Sequence, residues 1–512
     1  MTKTSKVAKS AAMIAIFTLI SKFLGFLREV LIASKYGSGY ETDTYFVAMT
    51  ATTILMTTIG ASLNTTLIPI FTEIEGRGGR RAKLKYLNNI LNMVFFITII
   101  LALLGFFLSP IVIRILAKGF EGEQFQLAVK LNRIGLPIVI FLGFTYVFSG
   151  YLHSSEIFGP PAIMGIPYNF VFLFFLMFFA DKGNIEGLML VSVVAASTQF
   201  LIQVPAIKHQ GYRYRVDINL HEPYLKKALI LVLPVMVGSA VQQINTVIDR
   251  TLASSLVEGS ISALTYASRL KDLIISVFIM AITTVVFPML SKAFSQDDNM
   301  QVKKIMGQGI NIILIITVPA TIGILILAEP MVRIFFQRGA FDSTATIMTS
   351  QALIFYSLGL VGASLRLMLN RVFYSFQDTK TPMINGALAV GLNIVLNLIL
   401  IRFMDHAGLA LATSISATFT TLLLFLSLRK KIGPMGIRRY LICFMKTLFA
   451  SMVMGIIVYF MYFGLTGRFI STGIGELFVL LSSIGVGALI YFILCSALKV
   501  KEIRRLIKGL IK

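Results

Sequence analysis

Charged side chains stand inside stretches that are otherwise apolar, and cations outnumber anions among them. Residues 11–35 carry Lys22, Arg28 and Glu29, and residues 127–152 carry Lys130 and Arg133. Residues 228–256 hold Asp249 and Arg250, residues 262–291 hold Arg269, Lys271 and Asp272, and residues 346–374 hold Arg366. Glu41 and Asp43 open the stretch 44–71. An ionised group at the centre of a bilayer costs at least about 2.5 kcal/mol on insertion scales, so it faces a cavity or a partner. Lys22 and Glu29 are seven apart and share one helix face, about 10 Å apart along the axis, while Arg28 points about 100° from Glu29. Gly25, between them, lets another backbone or a ligand approach. A net-positive cavity suits an anionic ligand, and arginine offers a planar fork that matches phosphate. Blander readings stand beside this one. Lys130 and Arg133 lie near a helix end, where long stems reach the interface, Arg366 is ambiguous in the same way, and Asp249 beside Arg250 forms a local pair in a purely structural reading. Lys22, Arg28 and Arg269 sit deeper and are the best functional candidates.

Signatures of catalysis are absent from the sequence. There is no Walker A motif, no GxSxG and no HExxH-type pattern. The two cysteines, Cys443 and Cys495, lie in apolar stretches without metal-ligand spacing and read as small buried hydrophobes. The expectation is binding and movement rather than an enzyme, with no cofactor. Transport without an ATPase must be driven by an ion gradient, by the membrane potential or by downstream consumption of the cargo.

The elements that position these charges are long and apolar. The chain has 512 residues, 56% hydrophobic and only 13% charged, against roughly 25% charged in soluble proteins. A spanning helix needs about 20 mainly apolar residues. That ruler finds fourteen segments, near 11–35, 44–71, 87–117, 127–152, 160–180, 185–207, 228–256, 262–291, 307–328, 346–374, 382–403, 407–428, 441–463 and 474–497. The predicted fold is an all-α multi-pass membrane protein. Lys3, Lys6 and Lys9 precede a first segment without a small-residue cleavage site, so that segment is expected to remain as an anchor. With the N-terminus inside, the inner loops and the tail hold 29 Lys and Arg and the outer loops hold 7. This asymmetry obeys the positive-inside rule and places both termini in the cytoplasm. It also accounts for much of the net charge of +23 without nucleic acid.

An internal repeat organises the segments. REVLIAS at 28–34 aligns with IDRTLAS at 248–254, and Pro69 in LIPIFTE aligns with Pro288 in VFPMLSK. LSPIVIRILAKGF aligns with AEPMVRIFFQRGAF, and LHSSEIFGPPAI at 152–163 with FYSFQDTKTPMI at 373–384, all at an offset of about 220 residues. The organisation read from this is a six-helix lobe over 1–210, a second six-helix lobe over 211–430, and two further helices with a basic tail over 431–512. Both lobes would enter the membrane from the same side, as in parallel-repeat transporters whose substrate lies near mid-membrane.

These residues also suggest a family. SKFLGFLREVLIASKYGSGYETDTYFVA at 21–48 resembles the opening of the MurJ (MviN) lipid II flippases, within the multidrug/oligosaccharidyl-lipid/polysaccharide exporter superfamily. FPMLSK at 287–292, FYSFQDTKTP at 373–382 and HAGLALA at 406–412 support the likeness, which runs nearly end to end. The resemblance implies a transporter of the bacterial cytoplasmic membrane that flips undecaprenyl-pyrophosphate-linked peptidoglycan precursor by alternating access and functions as a monomer. It implies headgroup contacts at Lys22, where the family usually has Arg, and at Arg28, Glu29, Asp43 and Arg269, with the lipid tail in a groove by helices 13–14. It further implies a sodium site whose matching positions are Asp249, Asn393, Asn397 and Thr413, all oxygen-bearing as a hard cation requires. One departure stands out. The family has a basic pair midway along helix 2, and this chain reads TTILMTTIG at 52–60, with Met56 and Thr57 there. That departure keeps a flippase of another undecaprenyl-linked polysaccharide open as the alternative. A cation-coupled drug antiporter, which wants an acidic or apolar cavity, fits the cations less well.

Overall fold

In the computed structural model, residues 3–180, 184–216, 218–296, 298–469 and 473–503 are described. Lys182 and the basic tail from Arg504 to Lys512 lie outside the described residues. The described chain is helical and contains no strand. It divides into two compact units, Met1–Ser262 and Ala263–Lys512.

The first unit holds α1 (Lys3–Tyr36), α2 (Tyr40–Leu116), α3 (Gly122–Gly135), α4 (Pro137–Ser154), α5 (Gly159–Ile163), α6 (Gly165–Phe178), α7 (Ile185–Leu201), α8 (Val204–His209) and α9 (Pro223–Ala253). Straight, α2 would run about 115 Å and separate Phe71 from Tyr86 by about 22 Å. Their rings instead meet at 5.5 Å. The backbone leaves helical geometry at Gly79, with φ 70° and ψ −175°, in the left-handed half of the map that glycine enters without penalty. The apolar segments 44–71 and 87–117 are thus the two limbs of a hairpin, and both limbs pack with α4 in one core. Lys83, counted in the sequence among the inner-loop cations, is fully buried beside that turn. Its Nζ lies 2.6 Å from Glu75 Oε2, 2.8 Å from Ser155 Oγ and 4.9 Å from the Tyr151 ring centroid, so it ties the hairpin to the end of α4.

The basic stretch before α9 is gripped by asparagines on the second limb. Asn88 Oδ1 accepts from the Arg215 N–H at 2.9 Å, and Asn89 exchanges two bonds with the Asn219 backbone at 2.8 and 2.9 Å. Asn92 donates to the Arg215 carbonyl at 2.9 Å. Side-chain amides here copy a strand partner and satisfy a loop that has no ladder of its own. Packing also puts α9 with the first unit, against α2. The repeat offset concerns sequence relation, whereas this grouping follows contact, so the unit boundary at 262 lies beyond 210.

That contact is close. A Cβ at Gly119 would sit 2.2 Å from the Ser254 carbonyl oxygen and 2.6 Å from Ser255 Cα, both backbone atoms. Gly119→Ala is therefore expected to lose at least about 1–3 kcal/mol through overpacking. Thermal melting of the detergent-solubilised protein checks this, and a wild-type midpoint would contradict it.

The second unit contains most of α10 (Ser260–Ile274), a five-residue π-helix (Ile275–Ile279), α11 (Met280–Ser295), α12 (Asn299–Phe336), α13 (Ser343–Leu358), α14 (Leu360–Ser375), α15 (Lys380–Ile432), α16 (Ile437–Phe469) and α17 (Gly473–Ala497). The helix α15 is a second hairpin. Asn385 Nδ2 donates to Ser427 Oγ at 3.1 Å, although a straight helix would separate these residues by about 60 Å. The break falls at Asp405, with φ 47° and ψ −131°, between segments 382–403 and 407–428. Cys443 and Cys495 are buried free thiols in an apolar cluster.

The repeat is visible in local geometry. Glu156 and Gln377 both take positive φ, 59° and 57°. The following N–H reaches back to the helix in each case, Ile157 to the Leu152 carbonyl at 2.9 Å and Asp378 to the Phe373 carbonyl at 3.0 Å. Both are Schellman-type ends of matching helices.

Each of the fourteen apolar segments falls on a helix, a helix limb or a consecutive helix run. Among the described residues, eight helices are long and apolar enough to cross a membrane, or nine with the α13–α14 pair, bent by 48°. Large apolar side chains point outward, with Phe107 74% and Phe478 73% exposed. Such a surface suits lipid and not water. The chain is a multi-pass membrane protein.

Candidate functional site

Arg28 organises the charged site of the first unit. It projects from α1 onto α6, a pair of helices in direct contact. Its Nη2 lies 2.6 Å from Glu29 Oε1, and its Nη1 donates to Asn169 Oδ1 at 3.3 Å. The guanidinium carbon stands 5.0 Å from the Phe172 ring centroid and 5.5 Å from that of Tyr168. Two aromatic rings, one carboxylate and one amide therefore hold a cation in an apolar setting, as a desolvated charge requires. Asn169 is itself fixed, because its Nδ2 donates to the Gly165 carbonyl at 2.7 Å and the Ser21 carbonyl at 3.2 Å. The sequence reading did not single out Asn169, although an asparagine inside YNFVFLFFLMFF is a detectable signal. A Cβ at Gly25 would meet Asn169 Oδ1 at 3.7 Å, an ordinary contact, so α1 and α6 do not need a glycine there.

The other expected headgroup residues occupy different settings. Lys22 is exposed and makes no ion pair among the described residues. Glu29 is 2% exposed and engages Arg28. Asp43 is buried and faces a helix start. Its Oδ2 accepts from the Gly259 N–H at 2.8 Å, and its Oδ1 accepts from the Ser262 N–H at 2.7 Å and from the Ser262 hydroxyl. Those donors open α10, where the first backbone N–H groups of a helix lack internal partners. A carboxylate at that position also complements the helix dipole. Asp43 thus caps the start of α10. Arg269 is exposed, and on the same helix Lys271 stands 4.7 Å from the Tyr356 ring centroid.

Lys130 and Arg133 follow the blander reading. Lys130 pairs with Glu186 at 2.6 Å, with 59% of the lysine side chain exposed, and such pairs contribute little. Arg133 donates to the Phe106 carbonyl at 3.1 Å and lies 4.7 Å from that residue's ring centroid. Arg366 is half-buried on α14. On α2, Met56 is fully buried and Thr57 donates to the Ile54 carbonyl of its own helix at 2.9 Å.

The expected cation residues are distributed over both units. In the first, Asn245 Nδ2 donates to Asp249 Oδ2 at 3.1 Å. In the second, the first limb of α15 buries Asn393 and Asn397 one turn apart, with Asn397 Nδ2 donating to Asn393 Oδ1 at 2.9 Å. Thr413 Oγ1 donates to the Leu409 carbonyl at 3.0 Å, which leaves its lone pairs for an acceptor role. Amide and hydroxyl oxygens are the donor type a hard cation takes. No cluster of three or more His, Cys, Asp or Glu suited to a metal occurs among the described residues.

The family model described as "Lipid II flippase MurJ" matches residues 32–473. The chain belongs to the MurJ family. It is 30% identical over 428 residues to the lipid II flippase MurJ of Burkholderia cenocepacia, covering 81% of this chain and 82% of that one. A solved MurJ structure, described as the inward closed conformation, superposes with TM-score 0.80 at 28% identity, covering 97% of this chain and 100% of its own. An inward-facing multidrug transporter of the MATE family and MOP superfamily shares the fold at TM-score 0.69 and 14% identity, covering 82% of this chain and 98% of its own. The all-helical, multi-pass fold read from hydropathy is that of the MurJ and MATE transporters.

Proposed function

We propose that this chain carries lipid II from the cytoplasmic to the outer leaflet of the bacterial cytoplasmic membrane, supplying precursor for peptidoglycan synthesis. The match to the lipid II flippase family over residues 32–473 carries this reading. The movement is alternating access by a single chain, and no covalent bond is made or broken. Arg28 is the principal contact for the pyrophosphate. Its Nε is buried without a hydrogen-bond partner among the described residues, so a donor remains for a phosphate oxygen. Lys22 adds an unpaired exposed cation on the same helix, and Arg269 is assigned a headgroup contact of its own. Asp43 works by capping the start of α10. Asn393, Asn397 and Thr413 are the oxygens assigned to a sodium ion whose gradient, together with the membrane potential, drives the cycle.

Conditional depletion of the protein is expected to trap lipid II on the inner face and to lyse the cells, read as loss of its accessibility to an external modifying reagent. Unchanged export on depletion would overturn the assignment. The absence of a basic pair at Met56 and Thr57 favours one second reading, a flippase for another undecaprenyl-linked glycan. Depletion would then remove a surface polymer without lysis.

A further inference from the structure

A basic cavity of about 740 Å³ lies within the second unit, between the starts of α12 and α16 and the chain that follows α17. Lys303, Lys304, Arg439, Lys446, Lys499 and Lys501 line it. None of these six forms an ion pair among the described residues. Glu502 is the one carboxylate in the lining, and Asn311 Nδ2 already donates to it at 2.7 Å. Lys446 donates to the Leu498 carbonyl at 2.7 Å, which orients its charge but leaves it uncompensated. The rest of the wall is largely apolar, including Met300, Ile442 and Val500.

Six cations of one sign around one cavity repel each other unless an anion enters. The mixed wall suits an anion attached to an apolar body. The cavity opens at the helix ends that loop charge assigns to the cytoplasmic side, where anionic lipid headgroups concentrate and where basic pockets between spanning helices hold them. We infer that this cavity binds a phosphate-bearing anion, with the headgroup of an anionic phospholipid as its source. The site is additional to the transported cargo and steadies the packing of α16 on α12.

The test compares the full-length wild type with the triple variant K303Q/K304Q/R439Q in detergent. Native mass spectrometry reads retention of phosphatidylglycerol and cardiolipin against phosphatidylcholine, and titration calorimetry reads binding of inorganic pyrophosphate. The wild type is expected to retain the anionic lipids selectively. The triple variant should weaken that retention by on the order of a hundredfold, from three charges each worth roughly fivefold. Lys22→Gln, on the transport helix, should leave it unchanged. Pyrophosphate binding that falls in the triple variant without lipid selectivity would keep the anion site and make a soluble phosphate its source. Equal retention of all three lipids, with pyrophosphate binding unaffected by the substitutions, overturns the proposal. Should the triple variant fold poorly, the charge-keeping K303R/K304R/R439K variant must bind like wild type and the single glutamine variants must weaken retention stepwise.

Discussion

Arg28→Ala is expected to abolish lipid II export while the protein still reaches the membrane. The substitution removes the guanidinium that Glu29, Asn169, Tyr168 and Phe172 surround. It also takes from the Glu29 carboxylate, which is 2% exposed, the guanidinium it pairs with. Removing one partner of a buried pair costs about 3–5 kcal/mol, so the single variant loses stability as well as function. The double variant Arg28→Ala with Glu29→Gln separates the two effects. It should recover folded yield, because the buried carboxylate is replaced by a neutral amide, and it should still fail to complement depletion. Complementation by the double variant would reduce Arg28 to a counterion for Glu29. Arg28→Lys is expected to fall between wild type and alanine, because an ammonium keeps the charge but loses the fork that reaches Glu29 and Asn169 together.

Asp43→Ala should produce a large loss of stability in the first unit. The carboxylate accepts two backbone N–H groups and one hydroxyl at the start of α10, all in a buried setting. Alanine leaves the Gly259 and Ser262 N–H groups without acceptors, at a cost of about 2–4 kcal/mol. Asparagine keeps one acceptor but turns its amide towards an N–H, so Asp43→Asn is expected to lie between the two. The thermal midpoint in detergent checks the order, and equal midpoints for wild type and alanine would refute it. Loss of export should accompany the loss of stability here, since the carboxylate is engaged in capping the start of α10. A substrate-contacting carboxylate would instead show a wild-type midpoint with export lost.

The sequence alone carried the all-helical membrane class and the family. Hydropathy marks segments 20 or more residues long, because a bilayer demands that length of apolar side chain whatever its neighbours are. The repeat was legible because prolines, glycines and helix ends at an offset of about 220 residues sit at positions of special backbone geometry, as Glu156 and Gln377 show. Arg28 stood out because a charge in an apolar run is costly wherever it points.

Tertiary structure decided what each charge touches. Nothing local in Asp43 distinguishes a headgroup ligand from a cap on a helix some 220 residues later; only the fold places Gly259 and Ser262 against it. Lys83 reads as a loop cation, and its burial depends on the hairpin at Gly79 bringing α4 alongside. Asn169, and the asparagines that bond the backbone of Arg215 and Asn219, became visible as partners only with the packing of their helices. Hydropathy and periodicity report the environment averaged over a helix face. The identity of the group opposite a given side chain is set by long-range packing, which neither of those signals encodes.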